Sequence, residues 1–146
     1  MNTHVIQKLL SDTSCFKGVY ACNQLPKTPF KSPFAIVINT DPIELPGEHW
    51  VALLSEKQHT IEYFDPYGHI PINPEVYTFM LNFRHKEICD FRFQSYSPSS
   101  EVCGFFVMFY IKCRCMGMTI QEFKNNFTEC EIINDLLVQI YTALSL

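Results

Sequence analysis

The groups in this chain best suited to chemistry are one thiol, one imidazole, one carboxylate and one amide. Cys103 stands directly before Gly104, where the polar loop Ser95-Tyr96-Ser97-Pro98-Ser99-Ser100 meets an apolar run that continues to Tyr110. That run predicts a helix over 103–116, with Ser99 and Ser100 as candidate N-caps. Being apolar on nearly every side, the helix must be buried. At about 21 Å it is too short to cross a membrane. The unpaired N–H groups of its first turn favour a thiolate there, and Gly104 allows a substrate or a second backbone to come close. A cysteine in a core helix more often merely packs. Its partners make the nucleophilic reading the stronger one.

Those partners lie in a predicted hairpin. His49-Trp50-Val51-Ala52-Leu53-Leu54 and Thr60-Ile61-Glu62-Tyr63-Phe64-Asp65 read as its arms, joined by Ser55-Glu56-Lys57-Gln58-His59. Pairing Leu54 with Thr60 sets His49 opposite Asp65, at the ~4.5–5.5 Å Cβ spacing of directly opposed residues. Parity sends Glu62 to the other face with Trp50, Ala52 and Phe64, opposite the catalytic one. An imidazole held by a carboxylate has a fixed tautomer and a stabilised cation, as a general base for a thiol requires. Gln94, at the end of the alternating stretch Asp90-Phe91-Arg92-Phe93-Gln94, is a candidate oxyanion donor alongside the Cys103 N–H. Gly47, Glu48 and Trp50 beside the base, and Gly104 beside the nucleophile, are the candidate substrate contacts, with packing a second role for Trp50. His4, His59, His69 and His85 fall near turns or on polar segments and read as surface residues.

Metal chemistry fails on spacing. Cys113 and Cys115 would lie about 200° apart on a helix, so they cannot share an ion. Cys113, Cys115 and Cys130 read as packing residues, and no metal or other cofactor is expected.

The elements needed to position these groups can be traced along the chain. Residues 4–12 predict a short amphipathic helix, and 21–33, with three prolines, an extended loop. Phe34-Ala35-Ile36-Val37-Ile38-Asn39 is a strand apolar on both faces, hence central in its sheet. Residues 74–84 predict a helix that starts at Pro74, 90–94 a strand, and 119–127 and 130–144 two further helices. The expected fold is α+β, a single domain over 1–146. Its mostly antiparallel mixed sheet is packed by helices, with the nucleophile at the N-terminus of a central buried helix in a papain-like arrangement.

Composition narrows the class. The chain has 146 residues, 47% hydrophobic, with 13 Phe and 7 Tyr, enough for a globular core. There is no membrane span and no signal peptide at the N-terminus. Seven Cys, an odd count without small-domain disulfide spacing, point to unpaired thiols in a reducing compartment. A net charge of −4 gives no basic footprint for nucleic acid.

With these residues in place, the chain resembles the adenovirus-type cysteine proteases (adenain), which share a clan with the Ulp-type proteases of ubiquitin-like modifiers. The likeness covers roughly residues 15–115 and runs through Phe16-Lys17-Gly18-Val19, Ala35-Ile36-Val37-Ile38-Asn39-Thr40 and Gly47-Glu48-His49-Trp50-Val51-Ala52. It continues through Tyr63-Phe64-Asp65-Pro66-Tyr67-Gly68, Gln94-Ser95 and Cys103-Gly104-Phe105-Phe106. The resemblance implies His49 as general base, Asp65 as its orienting group, Cys103 as nucleophile and Gln94 in the oxyanion hole. Adenovirus enzymes commonly carry Glu where this chain has Asp65; Asp is usual in the Ulp-type relatives. The implied activity is a viral endopeptidase that matures capsid or core precursors by cutting after small residues such as Gly. Alternatives are a protease that removes ubiquitin-like modifiers from host proteins and, in another class, an inactive protein-binding module. The partners so implied are polypeptide substrates and a virion-derived activating peptide, for which Cys89 before the 90–94 strand is a candidate attachment point. DNA and membranes are not expected as partners. The enzyme would act as a monomer in the virion and in the host nucleus or cytoplasm.

Overall fold

A computed structural model describes residues 1–44, 49–96 and 102–145. Five strands form one sheet in the order β1-β2-β3-β4-β5: β1 Phe16–Ala21, β2 Phe34–Asn39, β3 Trp50–Ser55, β4 Thr60–Phe64 and β5 His85–Cys89. β2–β3 and β3–β4 are antiparallel, while β1–β2 and β4–β5 are parallel. The sheet is therefore mixed as expected, but antiparallel pairings do not predominate. Helices cover both faces: α1 Thr3–Leu9, α2 Pro74–Met80, α3 Cys103–Cys115, α4 Ile120–Lys124 and α5 Glu131–Leu144.

Period-two alternation explains the layering. Ala35, Val37, Trp50, Ala52, Leu54 and Phe64 face α3 and meet Phe106, Val107, Tyr110 and Phe123 in one core cluster. Phe34, Ile36, Ile38, Val51, Leu53, Ile61 and Tyr63 face the other way and meet Val76, Phe79 and Met80 of α2. β2 is thus apolar on both faces because both are covered. Asn73 caps α2 through its side chain, with Pro74 at the first helical position. The helix ends at Met80, short of the expected 84.

Three other expectations give way. The strand predicted at 90–94 lies earlier, at His85–Cys89, and residues 90–94 are irregular, so Cys89 ends an edge strand instead of preceding one. Cys15 and Cys115 are joined in a disulfide with a Cα–Cα distance of 6.1 Å, against the expectation of unpaired thiols. Cys130, expected to pack, is exposed.

The Trp50 face is also not remote from α3 and Cys103. Trp50 is 7% exposed, shares its core cluster with Cys103, and donates its indole N–H to the Met1 carbonyl at 3.3 Å. Trp50→Ala is expected to cost about 3–5 kcal/mol of stability, the range for a buried Trp→Ala, as read by chemical denaturation. A Trp50→Phe variant that folds fully yet is inactive would overturn this packing role.

Glu62 is the charged member of that same face. It pairs with Arg114 of α3 through Nε–Oε1 at 3.1 Å and Nη2–Oε2 at 3.2 Å, and Tyr110 donates its hydroxyl to it. With every oxygen engaged, the buried carboxylate is a tie between sheet and helix.

Candidate active site

The chain brings His49, Asp65 and Cys103 together from three separate elements. His49 stands one residue before β3, Asp65 one residue after β4, and Cys103 is the first residue of α3. The hairpin register differs from the expected one. Leu54 pairs with Glu62, Leu53 with Tyr63 and Ala52 with Phe64, a shift of two residues that leaves parity intact. His49 and Asp65 are therefore diagonal neighbours rather than directly opposed, and both lie just beyond the paired region. Their side chains still meet, with Nε2 of His49 at 2.8 Å from Oδ1 of Asp65.

Holding Nε2 on the carboxylate leaves the other ring nitrogen for the thiol, and Cys103 lies near enough to act on the charge of the ring. Burial works against a charged ring here. The hydrogen bond to Asp65 and the influence of both Asp65 and Cys103 outweigh it, and push His49 from 6.5 up to about 9. Cys103 is 5% exposed. α3 begins behind Val102, whose side chain makes no capping bond, and Ser99 and Ser100 lie outside the described residues. The N–H groups of the first turn of a helix point toward its N-terminal end, where Cys103 lies.

Gln94 is fully buried and donates Nε2–H to the Tyr67 hydroxyl at 3.4 Å. It sits on an irregular segment held to the turn after Asp65, where Phe93 N–H and Gln94 N–H both donate to the Pro66 carbonyl, at 2.9 and 3.0 Å. The turn itself is closed by Gly68 N–H to Asp65 O at 2.8 Å. Gly68 has φ 73°, and a Cβ there would lie 2.9 Å from the backbone C and O of Phe91. Only glycine satisfies both the left-handed conformation and that approach.

The expected substrate contacts divide. Gly47 and Glu48 lie outside the described residues. Trp50 is buried in the core, as above. Gly104 is buried too, and a Cβ on it would lie 2.9 Å from the Met1 sulfur, so the residue that comes close to it is Met1. Residues not singled out from the sequence also converge on the site. Tyr67 stacks on His49 with centroids 4.8 Å apart. His69, expected on the surface, is exposed yet places Nδ1 3.9 Å from Asp65 Oδ2 and bonds the Tyr96 hydroxyl. The Asp65-Pro66-Tyr67-Gly68 turn signal could have marked Tyr67, since a turn that starts at Asp65 carries its next residues toward His49.

Among the described residues, no three His, Cys, Asp or Glu are grouped to hold a metal ion, and no helix is long and apolar enough to cross a membrane.

No protein-family model matches the chain, and no curated protein does. Among solved structures it is similar to the ASFV pS273R protease, with a TM-score of 0.56 and 19% identity, covering 93% of this chain and 63% of that one. A selenomethionine structure of the ASFV pS273R protease gives a TM-score of 0.46 and 24% identity, covering 72% of this chain and 42% of that one. The central domain of an uncharacterized Lpg1148 protein from Legionella pneumophila matches with a TM-score of 0.53 and 17% identity, covering 100% of this chain and 98% of that one. The chain thus spans 42% and 63% of the length of the two protease structures. At these identities the likeness is one of fold: an α+β domain with a five-stranded mixed sheet packed by helices, the fold seen in the ASFV pS273R protease.

Proposed function

We propose that the chain is a cysteine endopeptidase. One observation carries the reading: the His49 imidazole is held at 2.8 Å by a buried carboxylate and is acted on by the Cys103 thiol at a helix start. In this reading His49 takes the thiol proton, and the Cys103 sulfur attacks the scissile carbonyl to form a tetrahedral oxyanion. The oxyanion receives hydrogen bonds from the Cys103 N–H and the Gln94 amide. Collapse breaks the C–N bond, with His49 returning its proton to the leaving amine, and water then hydrolyses the thioester under the same base. Asp65 keeps Nε2 engaged throughout, so the reactive nitrogen is always the one facing sulfur.

The substrate class is a polypeptide cut after Gly, as the adenain resemblance implies. Similarity to the ASFV pS273R protease favours proteolysis as the activity, and the adenain resemblance favours a viral precursor protein as the target. Asp rather than Glu at position 65 favours the second reading, removal of ubiquitin-like modifiers whose tails end in Gly-Gly. The test assays purified chain against Gly-Gly peptides drawn from precursor-like sequences and against ubiquitin-like fusions. Turnover of the peptides alone supports the first reading and turnover of the fusions the second. Binding without turnover of either would make it a binding module.

The same assay, repeated with duplex DNA at about 0.15 M salt, should show no activation. Phosphate contacts need clustered Lys and Arg, and the chain carries 11 basic against 15 acidic residues. A saturable, salt-sensitive rise of about tenfold or more would overturn that expectation.

A further inference from the structure

One residue touches three of the four proposed catalytic groups. The Tyr67 ring lies nearly parallel to the His49 imidazole, at 4.8 Å and 22°. Its backbone N–H donates at 2.8 Å to Asp65 Oδ1, the oxygen that also holds the imidazole. Its hydroxyl accepts the Gln94 Nε2–H bond at 3.4 Å. The ring is supported from behind. Tyr96 stacks on it at 4.9 Å and 22°, and the Arg92 guanidinium carbon lies 3.8 Å from the Tyr96 ring centre. Arg92 in turn reaches Glu131 of α5 at 3.4 Å. The stack therefore runs from the base to the first turn of α5.

We infer that Tyr67 is a positioning residue that couples the general base to the oxyanion donor. Its ring fixes the plane of the imidazole and stabilises the cationic form by lying against it. Its hydroxyl fixes the plane of the Gln94 amide. An amide nitrogen carries two N–H groups, so engaging one on Tyr67 sets the direction of the other. The two actions are separable, because phenylalanine keeps the ring and loses the hydroxyl. The titratable groups facing His49 among the described residues are Asp65 and Tyr67 from the turn and Cys103 from α3. His69 places Nδ1 3.9 Å from the second oxygen of Asp65 and, with Tyr63, lines the same cavity as His49.

The inference rests on the protease reading, so the test includes a measurement that needs no substrate. Intact chain is used throughout, as wild type, Tyr67→Phe, Tyr67→Leu and Gln94→Ala, with circular dichroism and melting as controls for folding. His49 is titrated by NMR, and the rate of Cys103 alkylation by iodoacetamide is followed between pH 6 and 8. Tyr67→Leu is expected to move the His49 titration down by about half a unit or more and to slow alkylation severalfold, the scale of a lost cation–π contact. Tyr67→Phe is expected to leave the titration in place and lower kcat about tenfold at unchanged KM, a fraction of what losing a whole oxyanion donor costs. That loss should vanish in the Gln94→Ala background. A folded Tyr67→Leu that titrates like wild type overturns the action on the base. A Tyr67→Phe loss that persists without Gln94, or no loss at all, overturns the action on the amide. A wild-type chain that shows the expected His49 titration yet cleaves no acyl substrate overturns the protease reading and the amide action with it, while the titration still decides the action on the base.

Discussion

Cys103→Ala is expected to reduce peptide hydrolysis to the uncatalysed background while leaving the fold intact. The side chain is 5% exposed, and replacing its sulfur with hydrogen removes little packing, so melting should change only slightly. Alkylation gives an independent check on the nucleophile. Of the five free cysteines, Cys22, Cys89 and Cys113 are buried, and burial raises all three thiols, Cys113 to about 11. Thiols raised this way hold little thiolate at neutral pH. Cys130 is exposed, but no cation or base contacts its thiol among the described residues. Cys103, beside the His49 imidazole at a helix start, should react first, and activity should fall in step with its modification as mapped by mass spectrometry. Labelling of Cys130 with complete loss of activity, or a Cys103→Ala chain that still cleaves, would remove the assignment.

Asp65→Asn should lower kcat/KM by about 10²–10⁴-fold, the scale of a lost positioned base. The amide keeps the shape and can still hold Nε2, but carries no charge to favour the imidazolium. A pH signature accompanies the loss. His49 is raised from 6.5 to about 9 in the folded chain. Its interactions therefore stabilise the fold fully below about 6.5, and that contribution disappears as pH rises through about 9. Asp65 supplies the largest raising effect, so the wild type should lead the variant in stability at pH 6 and lose much of that lead by pH 10. Denaturant titrations at the two pH values measure the difference. An Asp65→Asn chain with an unaltered pH profile would show that the carboxylate does not govern the imidazole.

How much of this was legible in the sequence depends on what each feature rests on. Face assignments were legible because strand parity is fixed by a period of two: Glu62, Trp50 and Phe64 share a face as expected. Register was not, because it depends on the turn. Thr60 N–H closes the loop onto Lys57 O at 3.1 Å, and His59 adopts a left-handed φ of 69°, which no local signal required. The His49–Asp65 contact survived the two-residue shift because neither residue belongs to the paired ladder. β5 was hidden by its composition. His85-Lys86-Glu87-Ile88-Cys89 is an edge strand exposed along most of its length, so it lacks apolar alternation, whereas Phe91 and Phe93 alternate within an irregular segment pinned by Pro66. β1 pairs in parallel with β2 through a register irregularity between Phe16 and Gly18, which breaks the pattern a strand search would follow. The Cys15–Cys115 pairing joins residues 100 apart in sequence, a distance over which spacing carries no information.

Gly68 bears on the geometry around Asp65 and Gln94. It has no side chain and touches none of the reacting groups, yet its Cα lies against the Phe91–Arg92 backbone from which the chain runs on to Gln94. It works as a shim cut to its minimum thickness. Any larger residue would act as a wedge between the turn that starts at Asp65 and the backbone that leads to Gln94. The fit between these two segments is thus set by the absence of a single methyl group.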